Sequence, residues 1–406
     1  MVALSHTGPP RILIAGGGVA ALEAALALRK LAGDRVDIEL MAPESRFHVR
    51  PLAVAEPFGP SEAGSVELER FAQEHGFRFR SGALASVDHD GRRVRTRAGE
   101  RVPYDVLVVA CGGAPSPALP GALTFRGGAD VGSFRELLTR LERGFTRRVA
   151  FVLPSGANWP VPLYELALLT ATHAREHGRT PELSIVTHED RPLELFGPHA
   201  SDVVAQMLDR GGIEVLTRRY ATAVEHGVLR WLPAGELAVD RVVALPRLEG
   251  PRLPGLPQDA AGFIPTDPYG RVHGLSDAYA AGDATAFPVK QGGLAAEQAD
   301  AVAESIAAWA GVNLTPKPFR PVLRGKLLTG DLPVYMRSDA AGGRGDASDA
   351  SPRPLWWPPT KIAGRFLAPA LARAGIEPAP PPTYGVAPLA IQIDLEVPEA
   401  GRVVSH

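Results

Sequence analysis

The chain has 406 residues, of which 45% are hydrophobic and 22% charged, and a net charge of -2. That length implies two or three domains, and a near-neutral chain without Lys/Arg runs gives no electrostatic footprint for nucleic acid. The single cysteine, Cys111, excludes an intramolecular disulfide, a Cys-x-x-Cys pair and a multi-cysteine zinc site. No apolar run reaches the roughly 18 residues of a membrane-spanning helix, and Met1–Pro10 lacks a secretory pattern, so a cytoplasmic location is expected. The 11 histidines are scattered along the sequence, and no metal is expected.

Arg11–Ala15 reads as a short apolar strand, followed by the turn Gly16-Gly17-Gly18-Val19-Ala20-Ala21 and a helix to Leu31 ended by Gly33. This is a Gly-x-Gly-x-x-Ala dinucleotide turn in its strand-to-helix setting. Gly16 permits the tight turn, Gly18 lets a pyrophosphate approach, and Ala21 allows close helix-strand packing. Glu23, inside the helix, is either a structural hydrogen-bonding residue or an exposed one. Val36–Met41 is the next strand. Ala42 stands where an acid normally holds the adenosine ribose, so the candidate is Glu44, two residues on; its other reading is a solvated turn acid.

Phe77–Val87 and Arg92–Thr96 read as strands of a small antiparallel layer around Asp90-Gly91. Tyr104–Ala110 is a strongly apolar strand closed by Cys111-Gly112-Gly113, with Cys111 expected as a small packing residue. A helix over Ser133–Leu141 leads to a second strand-turn-helix unit opened by Arg148–Leu153. A complete second nucleotide site would have another glycine turn here. The chain instead gives Pro154-Ser155-Gly156-Ala157-Asn158-Trp159-Pro160-Val161-Pro162. Its three prolines have no amide to donate. A helix over Leu163–His177 and a strand over Leu183–Thr187 still follow. Trp159 either covers the space a nicotinamide would take or packs between domains.

Ala200–Arg210 reads as a helix; Ile213–Leu216, Val228–Leu232 and Arg241–Pro246 read as strands. Asp277–Thr285 is a short buried strand ending in Ala281-Gly282-Asp283, and Lys290-Gln291-Gly292-Gly293-Leu294 opens a helix to Trp309, stopped by Gly311. A carboxylate just past a strand end can accept hydrogen bonds from sugar-like hydroxyls. Amides at a helix start attract partial negative charge. Lys290 either assists that charge or is an exposed loop lysine.

Phe319–Leu328 reads as a strand pair and Ser338–Ser348 as a polar loop. The Leu355–Leu371 segment mixes Trp356-Trp357, basic residues and an apolar stripe. Three readings are open for it: an interfacial membrane contact, a lid over the active site or a dimer contact, or C-terminal core packing. Pro378–Thr383 reads as a linker to a loose tail.

Together, the glycine turn, the Ala-Gly-Asp acid and the Gly-Gly helix start resemble the flavin motifs of the pyridine nucleotide-disulfide oxidoreductase superfamily. Within it, the chain is most similar to the sulfide:quinone oxidoreductase and type II NADH dehydrogenase group, which has an aromatic-x-x-x-Pro-Leu segment at the place of Phe47–Leu52. The likeness covers about residues 11–311. It implies an α/β fold of two interleaved Rossmann-like domains: a flavin domain (1–120 and 251–315), an inserted NAD(P)-like domain (121–250) and a C-terminal lid, dimer or membrane-contact region (316–406). It also implies FAD, held by Gly16, Gly17, Gly18, Val19, Ala20, Glu44, Arg50, Pro51, Leu84, Ala110, Cys111, Gly112, Gly282, Asp283, Lys290, Gly293 and Leu294. Leu84 would meet the adenine, and Arg50 would lie by the isoalloxazine or phosphates, or be a surface arginine. The implied activity is electron transfer from a small-molecule donor through FAD to a quinone or other small acceptor. The cysteines of sulfide:quinone oxidoreductases have no match. An NAD(P)H-dependent reductase and a non-enzymatic flavin sensor are the alternatives. No catalytic residue is assigned; Trp159, Lys290 and Arg50 are candidates for the flavin face.

Overall fold

The computed structural model describes residues 8–59, 64–339 and 348–376. The chain begins with β1 (Arg11–Ala15), helix α1 (Val19–Ala32), β2 (Asp37–Ala42), β3 (Arg78–Ser81) and β4 (Val106–Val109). It then builds a second unit from β5 (Leu123–Thr124), α2 (Val131–Glu142), β6 (Arg148–Leu153), α3 (Val161–Glu176), β7 (Glu182–Thr187), α4 (Pro198–Arg210), β8 (Ile213–Leu216) and β9 (Arg241–Ala244). It returns through β10 (Ala278–Ala280) and α5 (Gly292–Trp309) to complete the first. The result is two parallel five-stranded sheets, ordered β10-β4-β1-β2-β3 and β5-β9-β6-β7-β8. The short antiparallel pair Ala114–Ser116 with Arg247–Glu249 joins the outgoing and returning strands.

Parallel strands covered on both faces read as continuous apolar runs, and β1 and β4 do. Ile12, Ile14, Val106 and Val108 pack against α1 and α5. Their alternates Leu13, Leu107 and Val109 pack against Leu84, Val87 and Val94 of the antiparallel layer. The period of two along each strand thus separates two cores. That layer is Leu84–Asp88, Arg93–Thr96 and Arg101–Pro103. The expectation that Phe77–Val87 belongs wholly to it is corrected: β3 pairs in parallel with β2 as the edge of the first sheet.

A third body follows: β11 (Val322–Leu327), β12 (Val334–Asp339) and β13 (Ser348–Ser351) form an antiparallel sheet, and helix α6 (Leu367–Arg373) packs on α1. Phe319–Leu328 therefore supplies one strand, not two, because its partner lies past the turn at 328–333. The strands Tyr220–Glu225 and Gly235–Ala238, which flank Val228–Leu232, escaped the sequence reading: both are short and half-exposed. Residues 340–347 of the polar loop and Pro378–Thr383 lie outside the described residues.

Two buried carboxylates fasten the C-terminal body. Glu23 of α1 is fully buried and accepts the backbone N–H groups of Phe366 and Leu367, each at 2.7 Å, which satisfies two donors at the start of α6. Glu165 of α3 is also fully buried. It accepts the N–H of Leu328 at 2.8 Å and pairs with Lys361. A buried carboxylate needs such partners to offset its desolvation. Among the described residues, no helix is long and apolar enough to cross a membrane.

Candidate functional site

The two flavin motifs meet at the C-terminal ends of β1, β4 and β10. Gly16 is held there by its N–H to Met41 O at 2.8 Å, with φ 140°. A Cβ at Gly16 would lie 2.1 Å from Ala110 O, so only glycine fits. A Cβ at Gly17 would strike Ala42 and Leu68, at 2.8 and 2.9 Å. Gly18, by contrast, is exposed and a Cβ there would meet nothing within 4 Å. The first two glycines therefore serve the turn, and the third opens the backbone to a ligand. The N-cap of α1 is Gly18, which has no side chain to cap the helix, and the first amides of α1 face the same opening.

Gly282 closes the other half. At φ 74° it sits between Ala20 of α1 and Ala295 of α5, where a Cβ would be 3.0 and 3.3 Å from their methyl groups. Its N–H donates to Gln298 Oε1 at 2.7 Å, and Thr285 Oγ1 donates to its carbonyl at 2.9 Å. This turn presents Asp283, whose carboxylate has no hydrogen bond among the described residues. Burial raises its pKa, opposed by the facing charges of Lys290 and Arg50. Arg50 is thus exposed, yet electrostatically part of the site.

Lys290 is buried, which corrects the reading of an exposed loop lysine. Its ammonium donates to Thr285 O and lies 3.8 Å from the centre of the Phe263 ring. Desolvation lowers its pKa to about 8, against the opposing pull of Asp283 and Asp259. At the start of α5, Gln291 Oε1 accepts the N–H of Leu294 at 2.8 Å, so that amide is taken. The amides of Gly292 and Gly293 lead the helix. Ile362, next in sequence to the Lys361 that pairs with Glu165, packs over Gly292. Burial raises the Glu165 pKa, opposed by Lys361. Sequence reading missed Glu165 and Lys361. A glutamate in an apolar helix is the signal for one, but its partner lies 196 residues away.

The other expected residues are dispersed around this centre. Pro51 is the second residue of a 3-10 turn over Arg50–Val54, Val19 opens α1, and Glu44 is exposed beyond β2. Leu84 is buried at the edge of the antiparallel layer. Ala110 donates its N–H to Ala15 O at 2.8 Å, and Gly112 has φ 73°. Cys111, two residues past the end of β4, is exposed, not packed as expected: the chain turns away from the core after buried Ala110.

In the second sheet, the loop between β6 and α3 is tied to the flavin half. Asn158 Nδ2 donates to Pro288 O at 3.0 Å, and Asn158 O accepts the Lys290 N–H at 3.3 Å. Trp159 is half-buried and meets Phe196 edge-on, with ring centres 5.7 Å apart. Past the end of β7, buried Glu189 accepts from Tyr164 Oη at 2.5 Å and Thr187 Oγ1 at 2.9 Å, and burial raises its pKa to about 7.

These features agree with the sequence profile of the pyridine nucleotide-disulphide oxidoreductases, which matches residues 10–304. The chain belongs to that family and is an FAD-dependent oxidoreductase. It is 31% identical over 297 residues to an NADH dehydrogenase-like protein of Mycobacterium tuberculosis, covering 68% of this chain and 73% of that one. It is 29% identical to the demethylphylloquinone reductase of Synechocystis, over 53% of this chain and 55% of the other. In fold it is similar to the sulfide:quinone oxidoreductase of Aquifex aeolicus, with a TM-score of 0.77, 18% identity and 84% and 86% of the two chains covered.

Proposed function

We propose that this enzyme passes electron pairs from a donor through FAD to a quinone or another small acceptor, and that NADH and NADPH are poor donors. The observation that carries the reading is the altered second nucleotide cradle. Pro160 and Pro162 remove amides at the start of α3, and Leu163 N–H is spent on Pro160 O at 2.9 Å. Beyond β7, where a nucleotide ribose would seek an acid, Glu189 is already occupied by Tyr164 and Thr187. The name of the Synechocystis relative supports a quinone acceptor.

Bound FAD supplies the redox chemistry. Around it, Gly18 and the first amides of α1 would receive the pyrophosphate, and Asp283 would accept hydrogen bonds from ribityl hydroxyls. The Gly292 and Gly293 amides and Lys290 favour negative charge on a ligand at the start of α5. Reduction of a quinone also consumes protons. Glu165, fully buried with its raised pKa and Lys361 partner, is a group suited to hold one.

The names of the Mycobacterium relatives favour a second reading, an NAD(P)H-dependent dehydrogenase. Anaerobic stopped-flow bleaching of the flavin band separates the two. Slow bleaching by saturating NADH and NADPH, with rapid re-oxidation of dithionite-reduced protein by a soluble quinone, supports the proposal. Fast, saturable bleaching at micromolar nucleotide overturns it and establishes the second reading.

A further inference from the structure

Far along α3 from its proline-rich start, three ligand-type side chains converge on the outer face of the second unit. Glu142 ends α2, His173 lies in the last turn of α3, and His177 follows that helix directly. Their ligand atoms all lie within 4.8 Å of one another. His173 Nε2 is 2.8 Å from Glu142 Oε1, and His177 Nε2 is 4.0 Å from the same oxygen.

We propose that Glu142, His173 and His177 form a binding site for a divalent transition-metal ion of the zinc type, clipping α2 to α3. Spacing and chemistry both favour it. Histidines four apart on a helix share one face, the arrangement that lets two imidazoles grip one ion. Two imidazoles and a carboxylate, with water in the fourth position, are a ligand set zinc accepts. Zinc bonds of about 2.0–2.1 Å place tetrahedral ligands roughly 3.3 Å apart. The two separations to Glu142, 2.8 and 4.0 Å, bracket that value, and with all three ligand atoms within 4.8 Å of one another, side-chain rotations close the site.

The tautomer of His177 is already set. Its Nδ1 lies 2.8 Å from the His173 carbonyl, which can only accept, so Nδ1 carries a proton and, in the neutral ring, Nε2 is the nitrogen that offers a lone pair. A ligating histidine is typically held this way, through a carbonyl on its other nitrogen. Phe58 meets the His173 ring edge-on at 5.9 Å and walls one side with apolar surface. His177 is half-exposed, with 45% of its side chain accessible, which leaves an entry path for the ion and its water. The sequence expectation of no metal rested on histidines scattered in sequence. A helical turn gathers two of them, and the end of a neighbouring helix adds the carboxylate.

The test uses tag-free, chelator-washed full-length protein with its FAD bound, titrated with zinc chloride against a chromophoric competing chelator. The proposal requires one ion per chain, and binding at least about tenfold weaker in both His177→Ala and Glu142→Gln. Cobalt(II) in place of zinc should give ligand-field bands without a thiolate charge-transfer band. Saturating zinc should raise the thermal midpoint of the wild type and leave that of His173→Ala/His177→Ala unmoved. Unchanged flavin content in each variant shows that it has folded. Binding that survives both single substitutions, a thiolate band from Cys111, or no stoichiometric zinc uptake by the wild type overturns the proposal.

Discussion

Replacing Asp283 by Ala removes a carboxylate of the flavin half that has no hydrogen-bond partner among the described residues. The turn around it should stand, because Gly282 is held by Gln298 and Thr285, and the Asp283 side chain takes no part in those bonds. The loss should therefore fall on the ligand. A hydrogen bond to a charged group contributes about 1.5–3 kcal/mol, so the FAD dissociation constant should rise about 10- to 150-fold. One effect opposes this: without Asp283, the charges of Lys290 and Arg50 lose their facing carboxylate and are freer to attract phosphates. Asp283→Asn separates the two, since it keeps one acceptor oxygen and removes the charge. It should lose less affinity than Asp283→Ala. The assay is titration of apoprotein with FAD, followed by quenching of flavin fluorescence, with circular dichroism to show that each variant is folded. Affinity within threefold of wild type, or tighter binding by the alanine variant, would show that the carboxylate does not hold the cofactor.

FAD affinity should also fall as pH rises through about 8, because Lys290 is cationic below its lowered pKa and neutral above it; a Lys290→Met variant should lack this step in the same titration. Lys361→Met leaves Glu165 buried without its cation and should cost about 3–5 kcal/mol in urea unfolding at neutral pH. The folded pKa of Glu165 is raised, and losing Lys361 raises it further, so protonation stabilises the variant. Its deficit should shrink from pH 8 to pH 5, and Glu165→Leu/Lys361→Met should recover most of it. Trp357 is 71% exposed, whereas Trp356 packs edge-on against Tyr335 and donates to Thr360 O. If this corner contacts a membrane, Trp357→Ser alone should reduce co-sedimentation with anionic vesicles; a wild type that stays in the supernatant refutes that role.

The sequence by itself determined the elements whose signals are local. The glycine turn after β1, the Gly282-Asp283 acid and the glycine start of α5 each lie within a few residues of the strand or helix that defines them. Steric exclusion at Gly16 and φ 74° at Gly282 leave glycine little competition. Continuous apolar runs likewise marked β1, β4 and β6 as covered on both faces. Tertiary structure decided whatever depended on distant partners. Lys290 is buried because Phe263 and Thr285 close around it. Glu23 is structural because Phe366 and Leu367, more than 340 residues away, turn their amides onto it. The edge position of β3 depended on pairing with β2, and its short, half-exposed segment carries no period that says so. Glu165 found Lys361, and His173 and His177 found Glu142, across gaps of 196 and about 30 residues that no local pattern spans. Charges and ligand atoms act over a few ångströms of space, and only the folded chain sets those distances.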